Sequence, residues 1–367
     1  MPLSLVVAGG GTGGHVEPAM NMADYFSTHI DDTVVTALGT NRGLETSLVP
    51  ARGYPLELIP AVPLPRKPSG DLLTLPGRMR SAVRAVRDVF DRVDADVLIG
   101  FGGYVSLPAY LAARGAKLPY VVHEANARPG LANKVGALFT DYIAENYAGS
   151  MKGAQRVGLP LRTSVAGLDR SAHRVAAAEY FDLDPDLPTV LVFGGSQGAR
   201  RLNEAVWGSW DQMQSQPVQV LHAVGPRTED AVVHPAQGST VQYRWVPFID
   251  RMDLAYSIAD LAVCRAGAMT CGEVAAVGLP AIYVPFPIGN GEQRFNAAPV
   301  VEAGGGLLVD DADMTSQRFS ELVTSLMGDQ ERLRAMSEAA AEYGVRDGDR
   351  RIADMAMQAL GRASGGL

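Results

Sequence analysis

The chain has 367 residues, 47% hydrophobic and 20% charged, which excludes a disordered chain and leaves room for two domains. A net charge of −8 and a pI near 5.3 argue against whole-molecule attraction to nucleic acid. The two cysteines, Cys264 and Cys271, fit neither a zinc site nor a disulfide framework and read as buried small residues in a reducing compartment.

Met1–Ala8 lacks the basic start and the longer apolar stretch of a signal peptide. No apolar run reaches the ~18 residues of a membrane span. A soluble, cytoplasmic protein is expected unless something holds it to a membrane surface. Leu3–Ala8 reads instead as a buried strand that ends at Gly9-Gly10-Gly11-Thr12-Gly13-Gly14-His15, with a helix beginning near Pro18. Val34–Leu38, Val97–Ile99 and Tyr120–Val122 repeat the strand pattern. Near Gly158–Arg162 the series breaks, and Ser164–Asp184 looks helical. Thr189–Phe193 then opens a second series, followed by Gln219–His222, Leu261–Cys264 and Ala281–Val284. Strands alternating with helices imply parallel sheets, so the fold class is α/β with two Rossmann-like domains. The expected division is 1–162, 163–345 and a C-terminal helix over 346–367 able to pack back on the first domain; Asp329–Gly361 reads as helical throughout.

Three glycine loops follow strands: the one at Gly9, Gly100-Phe101-Gly102-Gly103-Tyr104, and Gly194-Gly195-Ser196-Gln197-Gly198. Such loops let backbone N–H groups approach an anion at a helix N-terminus. Glycine loops alone are weak evidence, and no Gly-Lys-Ser/Thr ending completes a phosphate loop. His15 adds chemistry, because an imidazole at the mouth of a glycine loop can act as a base near neutral pH. Ordering of the loop by hydrogen bonding is its plainer role. After Leu38 the segment Gly39-Thr40-Asn41-Arg42 has no acid at the strand end to hold a ribose, which counts against a dehydrogenase.

Taken together, Gly10–His15, Gly102-Gly103-Tyr104-Val105-Ser106, His123-Glu124-Ala125-Asn126, Gly194–Gly198, Cys264–Thr270, Gly278-Leu279-Pro280 and Pro285–Ala297 resemble the signatures of the MurG family, in the family's order from about Leu5 to Gly306. Glu17-Pro18-Ala19-Met20 and Pro285–Gln293 are similar to its actinobacterial branch. The resemblance implies a GT-B fold, with two Rossmann-like domains facing across a cleft. It implies an inverting transfer of N-acetylglucosamine from UDP-N-acetylglucosamine to the muramyl 4-hydroxyl of the undecaprenyl-pyrophosphoryl-muramyl-pentapeptide, in peptidoglycan synthesis. The first domain would take the lipid-linked acceptor and the second the nucleotide sugar. Cell-wall and division proteins are implied partners, and the cytoplasmic face of the membrane is the implied location. Two other readings stay open: a UDP-N-acetylglucosamine 2-epimerase of the same fold, and a non-catalytic nucleotide-sugar-binding scaffold.

The base is expected to be His15 or Glu124; the plainer role for Glu124 is a structural carboxylate accepting from backbone N–H groups. The donor-binding set implied by the resemblance starts with Thr12, Gly13, Gly14 and Asn126, and with Arg162 near the diphosphate. Ser196, Gln197 and Gly198 would grip phosphate and Ile249 the uracil. Gly267, Ala268, Met269 and Thr270 would open a helix toward the diphosphate, with Glu273 on the ribose hydroxyls. Glu292, Gln293 and Asn296 resemble the group that reads the sugar. Many family members have Gln-Gln where this chain has Glu292-Gln293, and a carboxylate accepts but cannot donate. Helix dipoles and Arg162 can carry the charge of the leaving group in an inverting transfer, so no cofactor or obligatory metal is implied.

Gly102, Gly103 and Tyr104 are placed on the acceptor side. The acceptor's lipid tail stays in the bilayer, so a docking surface is needed. Met79, Val83, Val86 and Phe90 fall at helical spacing and are expected to pack on the first sheet. Leu72, Leu73 and Leu75, read as an apolar loop beside Arg66 and Lys67, are the expected contact with anionic lipid.

Overall fold

The computed structural model describes residues 2–63, 71–195, 198–214, 217–287 and 291–364, with backbone only at 71–73 and 362–364. The chain divides into two compact units, Met1–Thr163 with Asp347–Leu367, and Ser164–Arg346.

The first unit runs β1 (Leu3–Gly9), α1 (Gly13–His29), β2 (Thr33–Gly39), α2 (Glu45–Ala51), β3 (Leu56–Leu58), α3 (Asp71–Val93), β4 (Val97–Gly102), α4 (Ser106–Ala116), β5 (Tyr120–Glu124), α5 (Leu131–Gly136), β6 (Ile143–Glu145) and β7 (Gln155–Arg156). The short α6 (Thr163–Ala166) leads into the second unit. There the order is α7 (Arg170–Phe181), β8 (Thr189–Phe193), α8 (Arg200–Trp207), β9 (Val218–Ala223), β10 (Val241–Val246), α9 (Met252–Ile258), β11 (Leu261–Cys264), α10 (Ala268–Ala276), β12 (Ala281–Tyr283), α11 (Glu292–Glu302), β13 (Gly306–Leu308), α12 (Ser316–Met327) and α13 (Gln330–Tyr343). Finally α14 (Gly348–Ser364) rejoins the first unit.

Each unit holds one parallel sheet, ordered β3-β2-β1-β4-β5-β6-β7 and β10-β9-β8-β11-β12-β13. These are doubly wound α/β sheets, as expected from the alternation of strands and helices. The unbroken apolar runs follow from burial on both faces. Along β1, Leu5 and Val7 point into a core with Val16, Met20 and Phe26 of α1 and Ile352 and Ala356 of α14. Val6 and Ala8 point the other way, toward Val86 and Phe90 of α3 and Tyr110 of α4. The stripe on α3 is therefore core at Val86 and Phe90, as expected.

Both sheets reverse their strand order beside the first strand, between β1 and β4 and between β8 and β11. Ligands of open α/β sheets bind outside the carboxyl ends of the strands at such switch points. All three glycine loops follow strands that flank these points.

Several boundaries differ from the sequence reading. Helix α1 starts at Gly13, not near Pro18, because the amides of His15 and Val16 already donate to the Thr12 carbonyl at 3.0 and 3.1 Å. Strand β4 continues through Gly102, so Gly100, Phe101 and Gly102 of the second glycine loop are strand. The tail is two helices, broken between Tyr343 and Gly348. Helix α3 begins at Asp71, so Leu72, Leu73 and Leu75 lie on its first turns and not in a loop. Among the described residues, no helix is long and apolar enough to cross a membrane.

Candidate functional site

At the first switch point, β1 and β4 pair in register until Ala8, where the register shifts so that Gly9 meets Gly102. The shift brings the first two glycine loops together. A Cβ on Gly103 would stand 2.1 Å from the Gly10 carbonyl oxygen, and its φ of +81° also demands glycine. Ser106 fastens the pair: its hydroxyl accepts from Gly102 N–H at 2.9 Å and lies 2.9 Å from the Ala8 carbonyl.

His15 is the third residue of α1 and is half-buried over this junction. Its Nδ1 is hydrogen-bonded to the Thr12 hydroxyl at 3.2 Å. Its Nε2 faces Gly102, where a Cβ would come within 3.2 Å of it. Gly13 and Gly14 form the helix start beside it, and Tyr104 is exposed on the neighbouring loop.

Glu124 ends β5 and is almost wholly buried. Its Oε1 accepts from the Asn126 N–H at 2.9 Å and the Asn126 side chain at 3.2 Å. Its Oε2 accepts from Gly130 N–H and Asn133 Nδ2, both at 2.9 Å. Four donors on one buried carboxylate describe a residue that orders the 124–133 turn. Asn126 is thereby tied to Glu124. Asn133 in turn accepts from the Tyr110 hydroxyl at 2.9 Å and donates to the His123 carbonyl at 3.0 Å.

Arg162 pairs with Glu17 of α1 at 3.2 Å, and Arg52 shares that carboxylate at 2.9 Å.

In the second unit, α10 begins at the carboxyl end of β11 with Gly267 as its N-cap and no acid in its first turn. Ala268, Met269 and Thr270 make that turn, whose N–H groups and helix dipole favour an anion. Glu273 lies one turn further, so the helix dipole does not account for it. It is buried, and the Tyr256 hydroxyl donates to its Oε2 at 2.8 Å. Gln293 Oε1 accepts from Ala266 N–H at 3.2 Å and Phe286 N–H at 2.8 Å. Asn296, fully buried, donates to the Ala266 carbonyl at 3.4 Å. Both amides therefore brace the loop that opens α10, while Glu292 is exposed at the start of α11.

Gly198 packs against Val224, whose carbonyl accepts from Asn203 Nδ2 at 2.8 Å. Ser196 and Gln197 lie outside the described residues, as do Arg66 and Lys67 and the side chains of Leu72 and Leu73. Leu75 is half-buried. Ile249 is buried and lines a cavity of about 220 Å³ with Tyr180, Phe181, Arg244, Val246, Phe248 and Asp250.

The first unit thus gathers His15, Thr12, Gly102, Gly103 and Tyr104 at one switch point. The second gathers Gly267–Thr270, Glu273, Gln293 and Asn296 at the other. Among the described residues, no group of three or more His, Cys, Asp or Glu side chains could hold a metal ion.

Three residues escaped the sequence reading: Glu45, Tyr110 and Asn133. Each works through a partner distant in sequence and belongs to no local pattern. An exposed apolar cluster was missed as well, at Leu131, Leu138 and Phe139, with the Arg114 guanidinium 3.8 Å above the Phe139 ring.

Residues 5–144 match the glycosyltransferase family 28 N-terminal domain and residues 189–352 the glycosyltransferase family 28 C-terminal domain. A Streptomyces avermitilis protein is 54% identical over 98% of this chain and 99% of its own length. It is named UDP-N-acetylglucosamine--N-acetylmuramyl-(pentapeptide) pyrophosphoryl-undecaprenol N-acetylglucosamine transferase. A Mycobacterium avium protein of the same name is 54% identical over 99% of this chain and 90% of its own length. The crystal structure of Acinetobacter baumannii MurG superposes with a TM-score of 0.79 at 26% identity, covering 97% of this chain and 100% of that one. The chain belongs to the MurG family. A UDP-GlcNAc 2-epimerase from Neisseria meningitidis, with a TM-score of 0.67 at 14% identity over 98% of this chain and 100% of that one, shares the fold alone.

Proposed function

We propose that this chain transfers N-acetylglucosamine from UDP-N-acetylglucosamine to the 4-hydroxyl of the lipid-linked muramyl-pentapeptide. The observation that carries this function is 54% identity over 98% of the chain to a protein named for that transfer. The site geometry fits it. The muramyl 4-oxygen attacks C1 of the donor sugar, the C1–O bond to the diphosphate breaks, and UDP leaves with the electron pair. Nδ1 of His15 is bonded to the Thr12 hydroxyl, and in this scheme Nε2, which faces Gly102, takes the hydroxyl proton. Glu124, with four donors already on its carboxylate, serves to hold the 124–133 turn.

The donor is assigned to the second unit. The turn at Gly267–Thr270 faces the diphosphate with N–H groups, and Glu273 accepts from the ribose hydroxyls. N–H groups and a helix N-terminus meet the charge that builds on the leaving group, so no obligatory metal enters the scheme.

The acceptor's lipid requires contact with a membrane surface at its cytoplasmic face. Leu131, Leu138 and Phe139 are exposed, with the exposed Lys134 between them in the chain and the exposed Arg114 over the Phe139 ring. This composition suits reversible docking on anionic lipid.

Transfer of radiolabelled N-acetylglucosamine to a short-chain lipid-linked muramyl-pentapeptide tests the function. Labelled disaccharide-lipid is expected only when the acceptor is present. Epimerised sugar formed without acceptor would overturn it in favour of the epimerase.

A further inference from the structure

Glu45 opens α2 and is completely buried, yet the chemistry above gives it no part. Three donors converge on its carboxylate. Oε2 accepts from Gly11 N–H at 2.8 Å. Oε1 accepts from Thr40 N–H at 2.9 Å and from the Thr40 hydroxyl at 3.0 Å. Its neighbour Leu44 donates its own N–H to the Gly11 carbonyl at 3.3 Å. Gly11 is thus held through both its N–H and its carbonyl by two consecutive residues of the β2–α2 connection. The packing leaves no slack: a Cβ on Gly43 would stand 1.9 Å from Glu45 Oε2 and 2.7 Å from Gly11 Cα.

An apolar side chain would fill this space without the cost of desolvating a carboxylate. What it could not do is fix the direction of the Gly11 amide. In an anion-binding glycine loop that amide would face a ligand phosphate. Here a carboxylate of the chain itself already occupies it. The next residue, Thr12, is the N-cap of α1, and its hydroxyl is bonded to His15 Nδ1. The orientation of Gly11 therefore passes to His15 through Thr12.

We propose that Glu45 is a positioning residue for His15: it locks the first glycine loop from within, so that the loop presents a base to a hydroxyl and does not bind phosphate through Gly11. This rests on the assignment of His15 as the base. In Glu45→Gln one oxygen becomes an NH₂ group facing an N–H donor, so the clamp opens while the volume stays.

Misplacement of a reacting group by about 1 Å costs on the order of 10²-fold, so Glu45→Gln should lower kcat by roughly 10- to 100-fold. The KM for UDP-N-acetylglucosamine and the affinity for UDP should stay within about twofold of wild type, as expected when only a transition-state interaction is lost. The deciding arm is the double variant. Added to His15→Ala, Glu45→Gln should cause little further loss, because its target is gone. Thr40→Val, which removes one of the three donors, should show the same coupling with a smaller loss, and it carries the test if Glu45→Gln does not fold. Wild-type kcat in Glu45→Gln and Thr40→Val, or losses that multiply with that of His15→Ala, would overturn the positioning role and leave His15 as base. Wild-type turnover in His15→Ala itself would overturn both.

Discussion

The Tyr256 hydroxyl donates to Glu273 Oε2 at 2.8 Å, and the tyrosine carrying it is fully buried. The bond helps to fix which way the carboxylate proposed to hold the ribose turns. Glu273→Ala should weaken UDP binding by about 1.5–3 kcal/mol, the usual loss for a hydrogen bond to a charged group. UDP-glucose and UDP-N-acetylglucosamine should suffer alike, since they share the ribose. Tyr256→Phe should weaken UDP by less, because Glu273 remains but is no longer aimed. Calorimetric titration with UDP separates the three proteins, and a change in sugar preference would contradict the ribose role.

His15→Ala should lower turnover by roughly 10²–10⁴-fold, the usual contribution of a general base, while UDP affinity stays at the wild-type value. His15→Asn keeps a hydrogen-bonding group near Thr12 but supplies no base, so it should be nearly as slow. Steady-state kinetics with both variants decides the point. Recovery of most activity in the Asn variant would show that the histidine only orders the loop.

The strands at Leu3–Gly9, Thr189–Phe193 and Leu261–Cys264 were legible because burial on both faces writes them as unbroken apolar runs. Edge strand β10 was not, since Gln242 and Arg244 interrupt it on its exposed side. The start of α1 was hidden by Gly13 and Gly14, poor helix formers whose place in the helix is fixed by the Thr12 carbonyl. Candidate residues could be singled out where they sit in a local motif, as at His15 or Gly267–Thr270. Glu45 could not, since its bond to Gly11 spans 34 residues. The residue sits only a few positions beyond the strand end where a ribose-binding acid was sought.

Acid should destabilise the second unit through His222. Its ring is fully buried, with Asn203 Oδ1 at 3.0 Å on Nε2 and the Tyr243 hydroxyl at 3.1 Å on Nδ1. Burial lowers its pKa from 6.5 to about 3. The unfolded chain therefore takes up a proton that the folded state refuses as pH falls below about 6.5. Stability on this account is full above that pH and declines toward pH 3, by up to about 1.4 kcal/mol per pH unit. His123, buried in the first unit, is shifted in the same direction by burial. Denaturant unfolding at pH 7 and pH 5 should show the loss, and His222→Gln should flatten it. An unchanged pH slope in that variant would place the acid sensitivity elsewhere.

Leu131, Lys134 and Leu138 follow one another at intervals of three and four residues, across α5 and the 3₁₀ turn Ala137–Phe139. Leu131 is 58% and Leu138 73% exposed, which for two leucines so close together has no explanation in the core. Replacing both with Gln removes apolar surface without disturbing buried contacts, so thermal stability should hold. Full burial of a leucine is worth roughly 1.5–3 kcal/mol, and even partial insertion of two makes the double variant bind anionic vesicles at least about tenfold more weakly. Arg114→Gln should weaken the same binding less, and mainly at low salt, because a surface charge is screened. Sedimentation with vesicles containing anionic lipid, compared with neutral vesicles, reads both effects. Turnover with a short-chain, water-soluble acceptor should be unaffected, since that acceptor needs no bilayer. Wild-type vesicle binding in the double leucine variant would move the membrane surface away from this segment.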